Sequence, residues 1–181
     1  MKKAIVIGIN YRKTSYALPD CEQDAKNLQR LLLKSHDEVE VFFEILPSEL
    51  LELFNAAAKT LNKEDTLTVV YSGHGTQVTY GKLESDGINE ALCLFKDKKL
   101  VCLLDKDLKD MLSMFSCKVL LYIDSCYSWG MRSIIAQEYQ IKAMQFNFET
   151  DDVFEHRRLV STNKPEVVVV AACSENQTSV S

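Results

Sequence analysis

The feature that most constrains this chain is a recurring unit. A short apolar run stops abruptly at small or polar residues, and a stretch with helical periodicity follows. Lys3–Ile9 is the first such run, ending in Gly and Asn as a buried parallel strand should. Asp20 precedes a helical stretch to about Lys34, with Gln23 at capping-box spacing and Leu28, Leu31 and Leu32 as its apolar stripe. Val39–Ile45 alternates as a strand, and Pro47-Ser48 opens a helix to about Leu61. Thr66–Tyr71 is the third strand and stops at Ser72-Gly73-His74-Gly75. A polar, hairpin-like excursion follows, with Gly81 and Asp86-Gly87 as turn signals and Ala91–Phe95 and Leu100–Leu103 as short strands. Asp105 is expected to cap a helix to about Phe115, and Lys118–Ile123 is a fourth buried strand ending at Asp124-Ser125-Cys126. A helix is expected from about Trp129, a charged surface loop from about Gln145 to Glu166, and a last strand at Val167–Ala172. This order predicts an α/β fold with a mostly parallel sheet and helices on both faces.

Composition narrows the function classes. A length of 181 residues with 46% hydrophobic content suits a single domain with one core. The net charge of −5 offers no general attraction to nucleic acid or to an anionic membrane, so neither is an expected partner. No stretch approaches the roughly 18 consecutive apolar residues of a spanning helix. The basic, apolar N-terminus is too short for a signal peptide and reads as a strand. Six cysteines at positions 21, 93, 102, 117, 126 and 173 form no C-x-x-C pair, which suggests reduced thiols in a cytoplasmic protein. Cys93, Cys102 and Cys117 lie in apolar runs and read as core.

In open α/β sheets, functional groups gather beyond the carboxyl ends of the strands. His74 follows the third strand and Cys126 the fourth, so pairing of those strands in register would bring both to one rim. A neighbouring imidazole raises the thiolate fraction of a cysteine and then protonates a departing amine. Gly75 and the Cys126 amide are the candidate oxyanion donors, because a glycine beside the base leaves the approach open. Taken alone, a cysteine is usually core and a Gly-His-Gly usually a turn; their shared placement is what singles them out.

Six ordered segments resemble the caspase-like clan, specifically its metacaspase and orthocaspase branch. Lys3–Tyr11 looks like the family's opening strand, and Asp20-Cys21-Glu22-Gln23-Asp24-Ala25 is similar to its G-C-x-N-D-A segment. Tyr71–Gln77 matches the catalytic-His motif, and Asp86–Leu92 the segment beyond it. Asp124-Ser125-Cys126-Tyr127-Ser128 resembles D-S-C-H-S-G, and Ala172–Ser179 the segment after the fifth major strand. Cys126 follows His74 by about 50 residues, the caspase spacing.

The resemblance implies a caspase-like three-layer sandwich and a cysteine endopeptidase, with Cys126 as nucleophile and His74 as acid–base partner. It implies an S1 pocket for Arg or Lys at Asp24 and Asp124, with Cys173 beside it, and therefore peptide or protein substrates with a basic P1 residue. Outside that reading, Asp24 is a first-turn helix acid and Asp124 a turn cap. The loop 145–166 corresponds to the region where relatives are cut between subunits, so self-cleavage is expected after Arg157, Arg158 or Lys164. Relatives include monomers. No cofactor is expected to be required. Calcium would have Asp86, Glu90 and Asp105 as its candidates, although these acids read better as a solvated loop. Tyr127 stands where the family has His, and the glycine after the nucleophile is shifted to Gly130. The family continues with a further helix and strand, so a C-terminal segment or a partner chain is expected to complete the fold. The competing reading is a caspase-like scaffold without strong catalysis. A nucleotide-binding domain is disfavoured, since Gly8-Ile9-Asn10-Tyr11 carries no G-x-G-x-x-G or G-K-[ST].

Overall fold

The computed structural model describes residues 1–78, 89–125, 152–153 and 165–171. Its main sheet contains β1 (Lys2–Gly8), β2 (Glu38–Phe42), β3 (Thr66–Ser72), β7 (Lys118–Asp124) and β9 (Val167–Ala171), in the order β2-β1-β3-β7-β9 and parallel throughout. A second sheet has the order β4-β5-β6-β8, from Gly75–Val78, Asn89–Lys96, Lys99–Leu104 and Asp152–Val153. The helices among the described residues are α1 (Cys21–Leu32), α2 (Pro47–Thr60) and α3 (Asp105–Leu112).

Alternation along the parallel strands sorts side chains to two faces. Ile5 and Ile7, Leu67 and Val69, and Val119, Leu121 and Ile123 join the main core with Leu50 and Phe54 of α2 and Leu108 and Met111 of α3. Val6 and Val70 turn the other way and pack under Ala25, with Leu28 and Leu32 of α1 beside them. Helices therefore cover both faces of the central strands, which gives the expected α/β sandwich. The two-residue turn Asp97-Lys98 has φ values of 51° and 65°, the positive pair that joins β5 tightly to β6.

Several sequence expectations need correction. Asp20 occupies the N-cap of α1 but makes no side-chain cap bond; the Asn10 side chain accepts the Glu22 N–H at 2.9 Å instead. Leu31 is 59% exposed, because Ala25, Leu28 and Leu32 already form the inward stripe. Leu104 rather than Asp105 is the cap of α3, and Asp105 is its first, fully buried residue. Gly75–Val78, at the start of the hairpin-like excursion and given no strand of its own, is a strand paired antiparallel with β5; its glycine and glutamine hide an edge strand from any apolar pattern. Asp152–Val153, placed within the surface loop, pairs with β6. The fourth main strand is buried on one face only, with Tyr122 exposed on the other, as are Val168 and Val170 of β9. Ile45, expected within the second strand, makes a separate bridge to Phe95. The turn at Gly81 and Asp86-Gly87, the helix from Trp129, and the rest of the 145–166 loop lie outside the described residues.

Candidate active site

Register aligns the ends of β1, β3 and β7. β3 and β7 pair so that Ser72 faces Asp124, and Gly8 of β1 faces Ser72 on the other side. One further bond, from the Gly73 N–H to the Asp124 carbonyl at 3.2 Å, carries the pairing into the turn that presents His74. Only glycine fits at position 73. A Cβ there would lie 2.7 Å from the Tyr11 hydroxyl oxygen and 2.8 Å from that of Tyr71.

Those two hydroxyls surround His74. The His74 N–H donates to the Tyr11 hydroxyl oxygen at 2.8 Å, and the Tyr71 hydroxyl donates to the His74 carbonyl at 2.7 Å. The hydroxyls lie 2.9 Å apart and both reach the Cys93 carbonyl, at 2.7 and 2.8 Å. The Cys93 N–H in turn donates to the His74 carbonyl at 2.9 Å. Both tyrosines are fully buried, and burial pushes both phenols well above their ordinary range, so they remain protonated. The Tyr11 ring also packs against the imidazole, centroids 4.6 Å apart.

His74 is 6% exposed, and its Nε2 lies 2.7 Å from the Tyr16 carbonyl. A carbonyl only accepts, so Nε2 carries the hydrogen and the neutral ring keeps its lone pair on Nδ1. Burial lowers the His74 pKa, while the Tyr16 carbonyl opposes that effect by favouring the charged ring. The result is a neutral imidazole with one defined tautomer at neutral pH.

The loop that delivers Tyr11 and Tyr16 is itself anchored. Buried Asn10 donates through its side chain to the Pro19 carbonyl at 3.0 Å, and its own carbonyl accepts the Leu18 N–H at 2.8 Å. Tyr11 has φ of 49°, a left-handed conformation that strains a residue with a Cβ by about 1–2 kcal/mol. Its buried hydroxyl bonds, worth about 1 kcal/mol each, offset that strain.

On the opposite side of the row stands Cys21, half-buried at the start of α1. Burial raises its thiol pKa first; the Asp124 and Asp24 carboxylates raise it further, and a hydrogen bond with the Ser72 side chain opposes them. Asp24 in the first turn of α1 and Asp124 at the end of β7 thus act on one group, and both are exposed to solvent. Gly75 opens β4, buried and opposite Leu92. Glu90 accepts from the Gln77 side chain at 3.2 Å, and the Asp105 carboxylate accepts the Lys106 N–H at 2.6 Å. Among the described residues no group of three or more His, Cys, Asp and Glu side chains is arranged to hold a metal ion. Cys126, Cys173, Arg157, Arg158, Lys164 and Asp86 lie outside the described residues. Cys93, Cys102 and Cys117 are buried thiols, as expected of core positions.

Sequence reasoning overlooked Tyr11, Tyr71 and the Tyr16 carbonyl. A tyrosine ending an apolar strand beside the histidine motif is a readable signal, because a buried phenol needs a partner. A backbone acceptor leaves no trace in the residue type.

A parallel sheet between helices, with a histidine turn beyond its central strand, defines a caspase-like α/β protein. The caspase-domain family profile matches residues 1–181, and the chain belongs to that family. It is metacaspase-like. Metacaspase-4 of Arabidopsis thaliana is 27% identical over 144 residues, covering 72% of this chain and 34% of that protein. Metacaspase-1 of Plasmodium falciparum is 27% identical over 163 residues, covering 80% and 26%. Metacaspase-1 of Cryptococcus neoformans is 30% identical over 143 residues, covering 70% and 31%. The chain thus spans about a quarter to a third of the length of these relatives. A crystal structure of a protein from Geobacter sulfurreducens is similar with a TM-score of 0.60 and 29% identity, covering 70% of this chain and 51% of that one. No helix among the described residues is long and apolar enough to cross a membrane.

Proposed function

We propose that this chain is a cysteine endopeptidase that cleaves after Arg or Lys, with Cys126 as nucleophile and His74 as acid–base partner. The observation that carries this reading is the shared row Gly8–Ser72–Asp124, because His74 and Cys126 each follow that row by two residues. In the proposed reaction the His74 Nδ1 lone pair takes the Cys126 thiol proton, and the thiolate attacks the scissile carbonyl. The oxyanion is held by the Gly75 and Cys126 amides. The imidazolium returns its proton to the leaving amine, and an acyl-enzyme remains. Water then attacks the thioester with His74 again as base, releasing the acid product and the free thiol.

The field of two carboxylates around Cys21 supports the basic-P1 preference: Asp24 and Asp124 near one spot favour a guanidinium or ammonium and reject an acidic side chain. Cys173 belongs to the same proposed pocket. With that preference, Arg157, Arg158 and Lys164 are the proposed self-processing positions.

The test compares hydrolysis of peptides with Arg, Lys or Asp at P1, with calcium and with a chelator, while intact mass follows the chain itself. Basic-P1 hydrolysis should fall by at least about 10²-fold in His74→Ala, the lower range for loss of a general acid–base group. It should disappear in Cys126→Ala, together with any cut after Arg157, Arg158 or Lys164. Hydrolysis or nicking that survives in Cys126→Ala defeats the proposal. Wild type that neither hydrolyses these peptides nor is labelled at Cys126 by a basic-P1 electrophile is instead a caspase-like scaffold.

A further inference from the structure

The two buried phenols meet at a single residue, and three features distinguish them from ordinary core tyrosines. Their hydroxyls contact opposite backbone groups of His74, Tyr11 at its N–H and Tyr71 at its carbonyl. The chain between Tyr71 and His74 leaves room for them, because a Cβ on Gly73 would lie 2.7–2.8 Å from both hydroxyl oxygens. Tyr11 also reaches its place from a left-handed backbone, φ 49°, a conformation that bulky residues keep where surrounding structure holds it and that clusters at functional sites.

We propose that the Tyr11 and Tyr71 hydroxyls are positioning groups for His74, holding both backbone ends of that residue so that its ring keeps one location and one tautomer at the strand end. The proposal rests on the reading of His74 as acid–base partner. Three parts of the chain take part: Tyr11 and Tyr16 from the loop after β1, Tyr71 from β3, and Cys93 from β5. The Tyr16 carbonyl fixes which ring nitrogen carries the hydrogen, and the hydroxyl pair fixes where the residue bearing the ring begins. The Cys93 carbonyl accepts from the Tyr11 hydroxyl and shares the single Tyr71 hydrogen with the His74 carbonyl, which ties this arrangement to the second sheet. The Tyr11 ring lies 4.6 Å from the imidazole, so Tyr11→Phe removes the hydroxyl while retaining the ring.

The role is one of position, so its loss should slow the chemical step and spare substrate binding. Misplacing a catalytic group by ~1 Å costs roughly 10²-fold. With the Tyr16 carbonyl contact weakened rather than lost, Tyr11→Phe and Tyr71→Phe should each lower kcat by about tenfold. KM should stay within about twofold. The imidazole ¹⁵N shifts of His74, assigned against His74→Gln, should also move away from the pure Nε2-protonated pattern in both variants. Two variants are used so that a folding failure in one leaves the other as the test. If every folded variant keeps both kcat and the wild-type ¹⁵N pattern, the hydroxyls are structural only and the proposal is overturned. If the ¹⁵N pattern shifts but wild type shows no hydrolysis, the hydroxyls do hold His74 and it is the peptidase reading that fails.

Discussion

A histidine sealed under two tyrosines and a backbone carbonyl behaves differently from one in water. Burial disfavours its charged form, so folded His74 titrates below the ordinary value of 6.5. Between that lowered value and 6.5 the unfolded chain binds a proton that the folded chain does not. Stability contributed by neutral His74 is therefore complete above about pH 6.5 and is lost as pH falls through this window. Urea denaturation at pH 7.5, 6.5 and 5.5 should show wild type losing more stability on acidification than His74→Gln. Equal losses would mean that the imidazole titrates as if in water. The same residue shows what a sequence can reveal. The Gly-His-Gly turn after an apolar strand was readable, because a strand end and a small-residue turn both leave marks in residue type. The Tyr16 carbonyl was not, because any residue supplies one.

At the scale of elements, the contact between β1 and α1 is the most sensitive to added volume. Gly8 lies directly beneath the first turn of α1, where an added Cβ would collide with the Cys21 carbonyl and lie 2.6 Å from the Ala25 Cβ. Backbone on one side and a buried methyl on the other leave little room to relax. Gly8→Ala should therefore destabilise the fold by about 1–3 kcal/mol, the usual range for overpacking, as read from the denaturation midpoint. Because α1 carries Asp24, the variant should also weaken any basic-P1 preference. An unchanged midpoint would show that the helix shifts aside freely. The central strands β1 and β3 were legible because burial on both faces makes them nearly continuous apolar runs. Tyr122, Val168 and Val170 illustrate the limit of that logic, since apolar residues at alternating positions do not reveal whether the second face is covered. Asp20 shows a second limit. Its position before a helix satisfied the capping pattern, but Asn10, distant in sequence, took the bond.

At the scale of the molecule, the larger of the two apolar clusters among the described residues spans both sheets and two helices. Phe54 of α2 packs edge-on against Phe115, centroids 5.5 Å apart, while the ring of Phe95 in β5 lies 5.6 Å from that of Tyr11 in the loop after β1. Ile45 bridges to Phe95, and Lys96 pairs with Glu49 of α2. That pair is substantially solvent-exposed and contributes little; the shared apolar packing is what couples the sheets. Phe54→Ala should lower stability by about 3–5 kcal/mol, with near-UV and far-UV circular dichroism falling together in a single transition. Separate transitions for the two signals would mean that the sheets melt independently.

The row that joins Gly8, Ser72 and Asp124 also governs which changes in chain length the protein can accept. Each segment that leaves this row starts from a point set by hydrogen bonds to its neighbours, so residues added farther out lengthen a loop without moving its origin. A single residue inserted before the row, within any of the three strands, would turn every later side chain of that strand to the opposite face. Variation in length is thus permitted on one side of a single rung of the ladder and forbidden on the other.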